Sequence, residues 1–321
     1  MPAHHAQTTR LNDGITAIDT EYERPLQDAS HLIVEGGRAA FVDTGTNNSV
    51  PLLIDALHQQ NLDVAEVDYV FLTHIHLDHA GGAGLLMQKL PNALCVVHPR
   101  GIAHMIDPTR LIAGTETVYG VEDTRRMYGD IQPIEASRCV APDDEQWFDL
   151  NGRQMQALYT QGHALHHYCL NDPASRGVFT GDSFGISYRE LDTAAGALIF
   201  PTTTPTHFDP DTAHASVDRI MGCNPLQLYL THYSRVRDLD RLAADMHAGI
   251  DAHTEIALAN KDADDPLAGI RPAMSEYLKG LARAHGFKGD EDTLQAILEI
   301  DIELNAKGLV SWLQRLKKQG L

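Results

Sequence analysis

The segment Thr73-His74-Ile75-His76-Leu77-Asp78-His79-Ala80-Gly81-Gly82 sets four ligand-type side chains within six residues. Imidazole and carboxylate together suit zinc, and also iron or manganese. Alternate residues of an extended chain face the same side, so His74 and His76 point one way at the end of the apolar run 67–73. A turn after them, which Gly81-Gly82 permits, brings Asp78 and His79 round to the same space. One short segment can thus serve two neighbouring metal positions. Three further residues sit where that arrangement needs them. His163 follows Gly162 after the run 157–161, Asp182 follows Val178-Phe179-Thr180-Gly181, and His232 follows Leu228-Tyr229-Leu230-Thr231. One histidine at a strand end is ordinarily a hydrogen-bonding loop residue. Five histidines and two aspartates, all where strands give way to loops, form a metal constellation.

The elements that must position these residues alternate short strands with helices. Strands are predicted over 15–18, 31–35 and 38–43, the last two hinged as a hairpin at Gly36-Gly37. A helix over 51–60 carries Leu52, Leu53, Ala56 and Leu57 on one face and Pro51 in its first turn. A buried strand over 67–73 is followed by a helix near 84–90 and a second buried strand over 94–97. Residues 99–140 read as a polar insertion of mixed helical character. The strand pattern resumes over 147–150, 154–159, 168–170 and 178–180, and a long irregular loop, rich in Thr, Pro and Gly, covers 185–210. A helix over 211–221 and a strand over 226–230 close this part. Beyond Tyr233 the spacing predicts helices only, over 239–259, 273–284, 293–305 and 309–318. The expected division is therefore a metal-hydrolase domain over 1–235 and a helical extension over 236–321.

Composition excludes several classes. With 43% hydrophobic and 21% charged residues among 321, the chain is neither disordered nor collagen-like. No stretch approaches the roughly 18 apolar residues that span a bilayer, so no membrane partner is expected. The start, Met1-Pro2-Ala3-His4-His5, lacks the apolar core of a secretory signal and predicts a cytoplasmic protein. A net charge of −19 repels a polyphosphate backbone and counts against long nucleic acids as partners. The four cysteines form no CxxC pair, and Cys95 and Cys169 lie in apolar strand-like runs where a thiol is buried and inert.

These residues resemble the metallo-β-lactamase superfamily over roughly 10–235. Its HxHxDH motif matches His74, His76, Asp78 and His79, and its later His, bridging Asp and final His match His163, Asp182 and His232. The resemblance implies an αββα four-layer sandwich with a dinuclear site at its edge. By the same resemblance His74, His76 and His163 hold a first metal, Asp78, His79 and His232 a second, and Asp182 bridges them. The bridging Asp, in place of Cys, resembles the glyoxalase II and lactonase-like branches more than the classical zinc β-lactamases. Two divalent cations about 3.5–4 Å apart would give a bridging hydroxide nucleophile at neutral pH. Asp78 is placed to orient it and to pass its proton to the leaving group.

Substrate recognition must come from segments outside the ligands. The loop after Asp182 carries Phe184, Tyr188, Arg189, Phe200 and His207, and the insertion carries Tyr119, Arg125, Arg126 and Tyr128. His166 and His167 lie just past a ligand and can support it. The expected substrate is a small ester, thioester or lactone; the alternative is a nucleotide or small phosphodiester. A non-hydrolytic diiron protein that binds oxygen or nitric oxide is a third class, disfavoured by His76, where those relatives carry a carboxylate. Trp312 and Leu313 on the last amphipathic helix suit packing across a homodimer.

Overall fold

The computed structural model describes residues 5–320, so most of the amino-terminal segment on which the cytoplasmic reading rested lies outside the described residues. The strands are Thr8–Arg10 (β1), Ile15–Asp19 (β2), Ala29–Glu35 (β3), Arg38–Val42 (β4), Val67–Leu72 (β5), Leu94–Val97 (β6), Cys139–Val140 (β7), Trp147–Leu150 (β8), Arg153–Tyr159 (β9), Tyr168–Asp172 (β10), Gly177–Gly181 (β11), Gln227–Leu230 (β12) and Ser234–Val236 (β13). The helices are Val50–Gln59 (α1), Leu77–Ala80 (α2), Ala83–Lys89 (α3), Ile102–Ile106 (α4), Thr109–Tyr119 (α5), Val121–Tyr128 (α6), Pro210–Gly222 (α7), Leu239–Ala259 (α8), Pro266–Ala284 (α9) and Glu291–Gln319 (α10). Packing divides them into two units. The first takes the described residues through Tyr159 with His166–Gly181 and Thr231–Ser234, and the second takes Thr160–Leu165, Asp182–Leu230 and the chain from Arg235 onward.

In the first unit, β1 to β7 lie side by side in sequence order. β1 to β4 pair antiparallel, whereas β4 to β7 pair parallel. Parallel strands are covered on both faces, which is why Val70-Phe71-Leu72 and Cys95-Val96-Val97 are apolar without alternation and fully buried. The expected face of α1 packs on this sheet through Leu52, Leu53, Ala56 and Leu57. A second sheet runs antiparallel through β8, β9, β10 and β11. The two meet where Phe71 and Phe148 cross edge to face at 5.3 Å, and where the buried Tyr168 hydroxyl donates to the Val96 carbonyl at 3.0 Å. The insertion is helical, as α4 to α6. The expected turn at Gly81-Gly82 separates α2 from α3, with both glycines in the right-handed region at φ −60° and −82° and a Cβ on Gly82 only 2.5 Å from the Thr46 carbonyl oxygen.

The second unit holds α7, β12 and the long helices α8 to α10. Two boundaries differ from the sequence reading. α9 starts at Pro266, not near 273, because the Asp265 side chain caps it and proline at the first turn leaves no needed N–H missing. The helices expected over 293–305 and 309–318 are one helix, α10. Gly308 falls between those two spans, and its missing side chain is what lets the helix continue: a Cβ there would lie 1.5 Å from the Thr203 carbonyl oxygen. A mid-helix glycine costs roughly 1 kcal/mol, and close backbone packing offsets it. Among the described residues no helix is long and apolar enough to cross a membrane. All four cysteines are free thiols, and burial pushes the Cys95 thiol well above its ordinary range.

His253 of α8 is fully buried, edge-on to Tyr277 at 5.6 Å, and burial pulls it down from 6.5 to about 3. The folded state thus refuses a proton that the unfolded chain accepts. The stability so contributed is complete above pH 6.5 and falls progressively as pH drops from 6.5 toward 3. Replacing His253 with Phe should flatten this limb by up to about 1.4 kcal/mol per pH unit. Urea denaturation of both proteins at several pH values between 7 and 4 measures the difference, and parallel curves would contradict the assignment.

Candidate metal centre

β5 ends at Leu72, and the next residue is tied down at once. The Thr73 backbone N–H donates to Asp43 Oδ1 at 2.8 Å, and its hydroxyl donates to Asp43 Oδ2 at 2.8 Å. Having spent its proton, that hydroxyl oxygen accepts from His74 Nδ1 at 3.2 Å. His76, still extended at ψ 148°, caps α2, whose single turn carries Asp78 and His79. The ring centroids of His74 lie 4.4 Å from His76 and 4.1 Å from His79. His79 Nδ1 donates to Asp43 Oδ2 at 2.8 Å, and the Thr231 hydroxyl donates to the same oxygen at 2.8 Å. The Ala29 N–H on the Thr231 carbonyl at 2.7 Å then sets His232 beside Asp28, to which its Nδ1 donates at 2.7 Å. Burial pushes the Asp28 carboxyl up, and the His232 imidazole opposes that rise.

These contacts fix tautomers. With the Nδ1 proton of His79 and of His232 held by a carboxylate, each Nε2 carries the lone pair. Those atoms lie 3.6 Å and 3.7 Å from Asp78 Oδ2. Asp78, His79 and His232 thus place three ligand atoms within 4.8 Å of one another, a donor set that fits a divalent cation.

In the second unit His163 and Asp182 form a pair of their own. The Thr202 carbonyl can only accept, so His163 Nδ1 donates to it at 3.2 Å and Nε2 faces Asp182 Oδ2 at 3.4 Å. Each of these residues follows a glycine in the left-handed region. Gly162 has φ +117° and a Cβ on it would meet the Ala213 backbone at 2.5 Å; Gly181 has φ +48° and a Cβ would meet Thr73 Oγ1 at 2.6 Å. Any larger residue would turn the strand end away. Gln161, Ser183, Thr202 and the apolar Phe208, Met246 and Ile250 surround the pair in a small hollow.

The model for the metallo-β-lactamase superfamily matches residues 24–232. The chain belongs to this superfamily. ST1585 of Sulfurisphaera tokodaii, a metallo-β-lactamase fold-containing protein, is 28% identical over 170 residues, 51% of this chain and 57% of that one. Its crystal structure matches at a TM-score of 0.63 with 22% identity, over 93% of this chain and 99% of that chain, a likeness of fold. An atrochrysone carboxyl ACP thioesterase of Passalora fulva is 25% identical over 48% of this chain and 37% of its own length. The endoribonuclease YSH1 of Yarrowia lipolytica is 25% identical over 53% of this chain and 21% of its own. The chain therefore spans little more than half of these curated relatives at most. The fold class is the αββα sandwich of the metallo-β-lactamase superfamily with a helical C-terminal region.

The substrate-side candidates fall in several settings in this member of the metallo-β-lactamase superfamily. Phe184 and Tyr188 are buried, and the Tyr188 hydroxyl donates to Asp301 of α10 at 3.3 Å. Arg189 donates to the Ser187 carbonyl and pairs with Asp192 at 3.1 Å, and His207 is half-buried. Arg125 and Arg126 are exposed on α6, with Arg126 paired to Glu23 at 3.1 Å. Tyr119 and Tyr128 pack with Leu77, next to Asp78. Burial first and the Asp78 charge second raise both phenols, Tyr119 to about 12. Tyr22, whose hydroxyl meets that of Tyr128 at 3.0 Å, completes this wall and escaped the sequence reading. His166 and His167 stack beside His74, with ring centroids at 6.1 Å and 4.9 Å.

Sequence reasoning also missed Asp28, Asp43, Thr73 and Thr231. Asp43 carried a usable signal, since it follows β4 as Asp182 follows β11. Replacing Asp43 with Ala removes the acceptor from three buried partners and should lower unfolding stability by about 3–5 kcal/mol. It should also weaken metal uptake by Asp78, His79 and His232. Chemical denaturation alongside zinc titration checks both, and an unchanged denaturation midpoint would contradict the role given to Asp43.

Proposed function

We propose that the chain is a metal-dependent hydrolase of a small carboxylic ester, thioester or lactone, acting with two divalent cations, zinc first and iron or manganese next. In this reading His74, His76 and His163 hold one cation, Asp78, His79 and His232 the other, and Asp182 bridges. The observation that carries it is the set of Nδ1 donors. His74, His79, His163 and His232 each spend that proton on Thr73, Asp43, the Thr202 carbonyl and Asp28, leaving Nε2 as the ligand atom in every case. The superfamily match over 24–232, which contains all seven residues, supports it.

Two bound cations would supply a hydroxide nucleophile near neutral pH and polarise the substrate oxygen. Asp78 keeps some solvent access, its side chain 23% exposed, while touching the donor set. It is the carboxylate placed to hold the nucleophile's proton and hand it to the leaving group. Tyr119, Tyr128 and Tyr22 form the apolar wall nearest Asp78 and suit an uncharged acyl group.

A phosphodiesterase is the second reading, favoured by the similarity to an endoribonuclease. A phosphodiester gains from unengaged Arg or Lys near the site. Arg189 is already held by Ser187 and Asp192, and Arg126 by Glu23 and Asp123. The thioesterase among the similar proteins favours the acyl reading.

Metal analysis under saturating zinc should find about two ions per chain, with Asp182→Ala loosening both and His232→Ala mainly one. Saturation at one ion would overturn the dinuclear assignment. On a panel of lactones, thioesters and bis-p-nitrophenyl phosphate, the acyl substrates should give the higher kcat/KM. A preference for the phosphodiester, abolished by Arg125→Ala or Arg126→Ala, would install the second reading.

A further inference from the structure

The His163 contact with Thr202 has a second end. The Thr202 carbonyl and the Thr203 N–H belong to one peptide group, which is planar and rigid. His163 Nδ1 donates to the carbonyl at 3.2 Å, while the N–H donates at 2.5 Å to Asn305 Oδ1 of α10. The Thr203 hydroxyl donates to the same Asn305 side-chain oxygen at 3.0 Å and lies 3.1 Å from the Asn305 carbonyl. Three residues along, Gly308 lets the backbone of α10 press directly on the Thr203 carbonyl, where a Cβ would fall at 1.5 Å. Thr203 and Asn305 are both buried. The peptide group is thus gripped on its N–H side and by the helix backbone next to it, and its carbonyl is aimed at one imidazole nitrogen.

We propose that Asn305 of α10 is a positioning residue for His163: by fixing the Thr202–Thr203 peptide plane it holds the His163 proton on Nδ1 and the ring with Nε2 toward Asp182. The C-terminal helix then serves the metal centre through a chain of Asn305 oxygen, peptide N–H, peptide carbonyl and imidazole N–H. Hydrogen bonds at both ends of one amide polarise it in the same sense, so the carbonyl that His163 sees is a stronger acceptor because Asn305 Oδ1 accepts from the N–H at the other end. This inference rests on the reading of His163 as a metal ligand, and supporting contacts of this kind change metal affinity by about 10–100-fold.

Packing alone would also place a buried Asn on α10, and two variants separate the alternatives. Asn305→Leu keeps the bulk and removes the acceptor. Asn305→Asp keeps an acceptor for both Thr203 donors, and because Asn305 Nδ2 has no hydrogen-bond partner, the exchange breaks no contact. Stepwise zinc affinities from chelator competition, on protein shown folded by circular dichroism, give one readout. The protonated nitrogen of His163, read from the imidazole 15N shifts of the metal-free protein, gives the other.

Asn305→Leu should weaken one of the two zinc steps by about 10–100-fold, leave the other within about threefold, and let the His163 proton redistribute between its nitrogens. Asn305→Asp should keep both the affinity and the Nδ1–H form. Equal losses in the two variants, or a folded Asn305→Leu protein with unchanged affinities and tautomer, would overturn the proposal. If Asn305→Leu does not fold, the wild-type spectrum still decides, since a His163 proton on Nε2 contradicts the geometry. A wild-type protein that shows the Nδ1–H form yet binds no zinc would instead defeat the proposed function and leave the positioning role standing.

Discussion

The carboxylate of Asp43, at 1% exposure, accepts from the Thr73 N–H, the Thr73 hydroxyl, His79 Nδ1 and the Thr231 hydroxyl. A buried carboxylate costs several kcal/mol unless its lone pairs are filled, and here the filling is done by two segments far apart in sequence. One runs from the end of β5 through the turn of α2 and contains the HxHxDH motif, and the other follows β12 and carries His232. Removing the charge would leave three strand ends without a common anchor. The candidate ligands His79 and His232 are placed because they or their neighbours must satisfy Asp43, and the cluster of donors inherits its shape from that requirement.

The clustering of the seven candidate ligands in two groups was legible in the sequence because each is marked locally. A buried strand is an apolar run, a strand end is where the run stops, and although one His there is ordinarily a loop residue, several His and Asp recurring at such ends mark a common site. Most elements were legible for the same reason: β6, β8 and α8 fall on their expected bounds. What failed to show was anything decided by a distant partner. Asp28 carries no local signal and Asp43 falls at the end of the expected strand 38–43; their roles appear only when Thr73, His79, Thr231 and His232 close around them. Gly308, between the expected spans 293–305 and 309–318, lies within one helix against Thr203, and Pro272, just before the expected start at 273, lies inside α9. The surroundings of the donor set were least legible, because an exposed arginine and a buried tyrosine have no period to mark them. Tyr22 lies about a hundred residues from Tyr128, with which it shares a hydrogen bond.

The loop after Asp182 illustrates how a segment without regular structure can still be rigid. It is bridged across itself where Ile186 pairs with Phe200, and α10 receives its polar groups at Asp301 and Asn305. Buried backbone donors and acceptors must be paired somewhere, and in this loop the C-terminal helix supplies several of the partners. Asp301 and Asn305 are one helical turn apart, so a single face of α10 serves both Tyr188 and Thr203. A helical extension with this face is therefore part of the loop's own folding, and cutting the chain after residue 236 would leave those groups buried without partners or expose the loop to water.

The donor set itself imposes the last constraint. The Nε2 lone pairs of His79 and His232 and a carboxylate oxygen of Asp78 converge within 4.8 Å, an arrangement that is repulsive on its own. Asp43 and Asp28 hold the two rings from behind and prevent them from turning away. A set preorganised in this manner loses little conformational freedom when a cation enters, and whatever binds the folded form adds to its stability by mass action. The three donors are not equivalent toward water. His79 is wholly buried and His232 nearly so, while the Asp78 side chain remains 23% exposed. Solvent therefore reaches this donor set past Asp78, whose carboxylate is the member of the three that can exchange contacts with water while the two rings stay held.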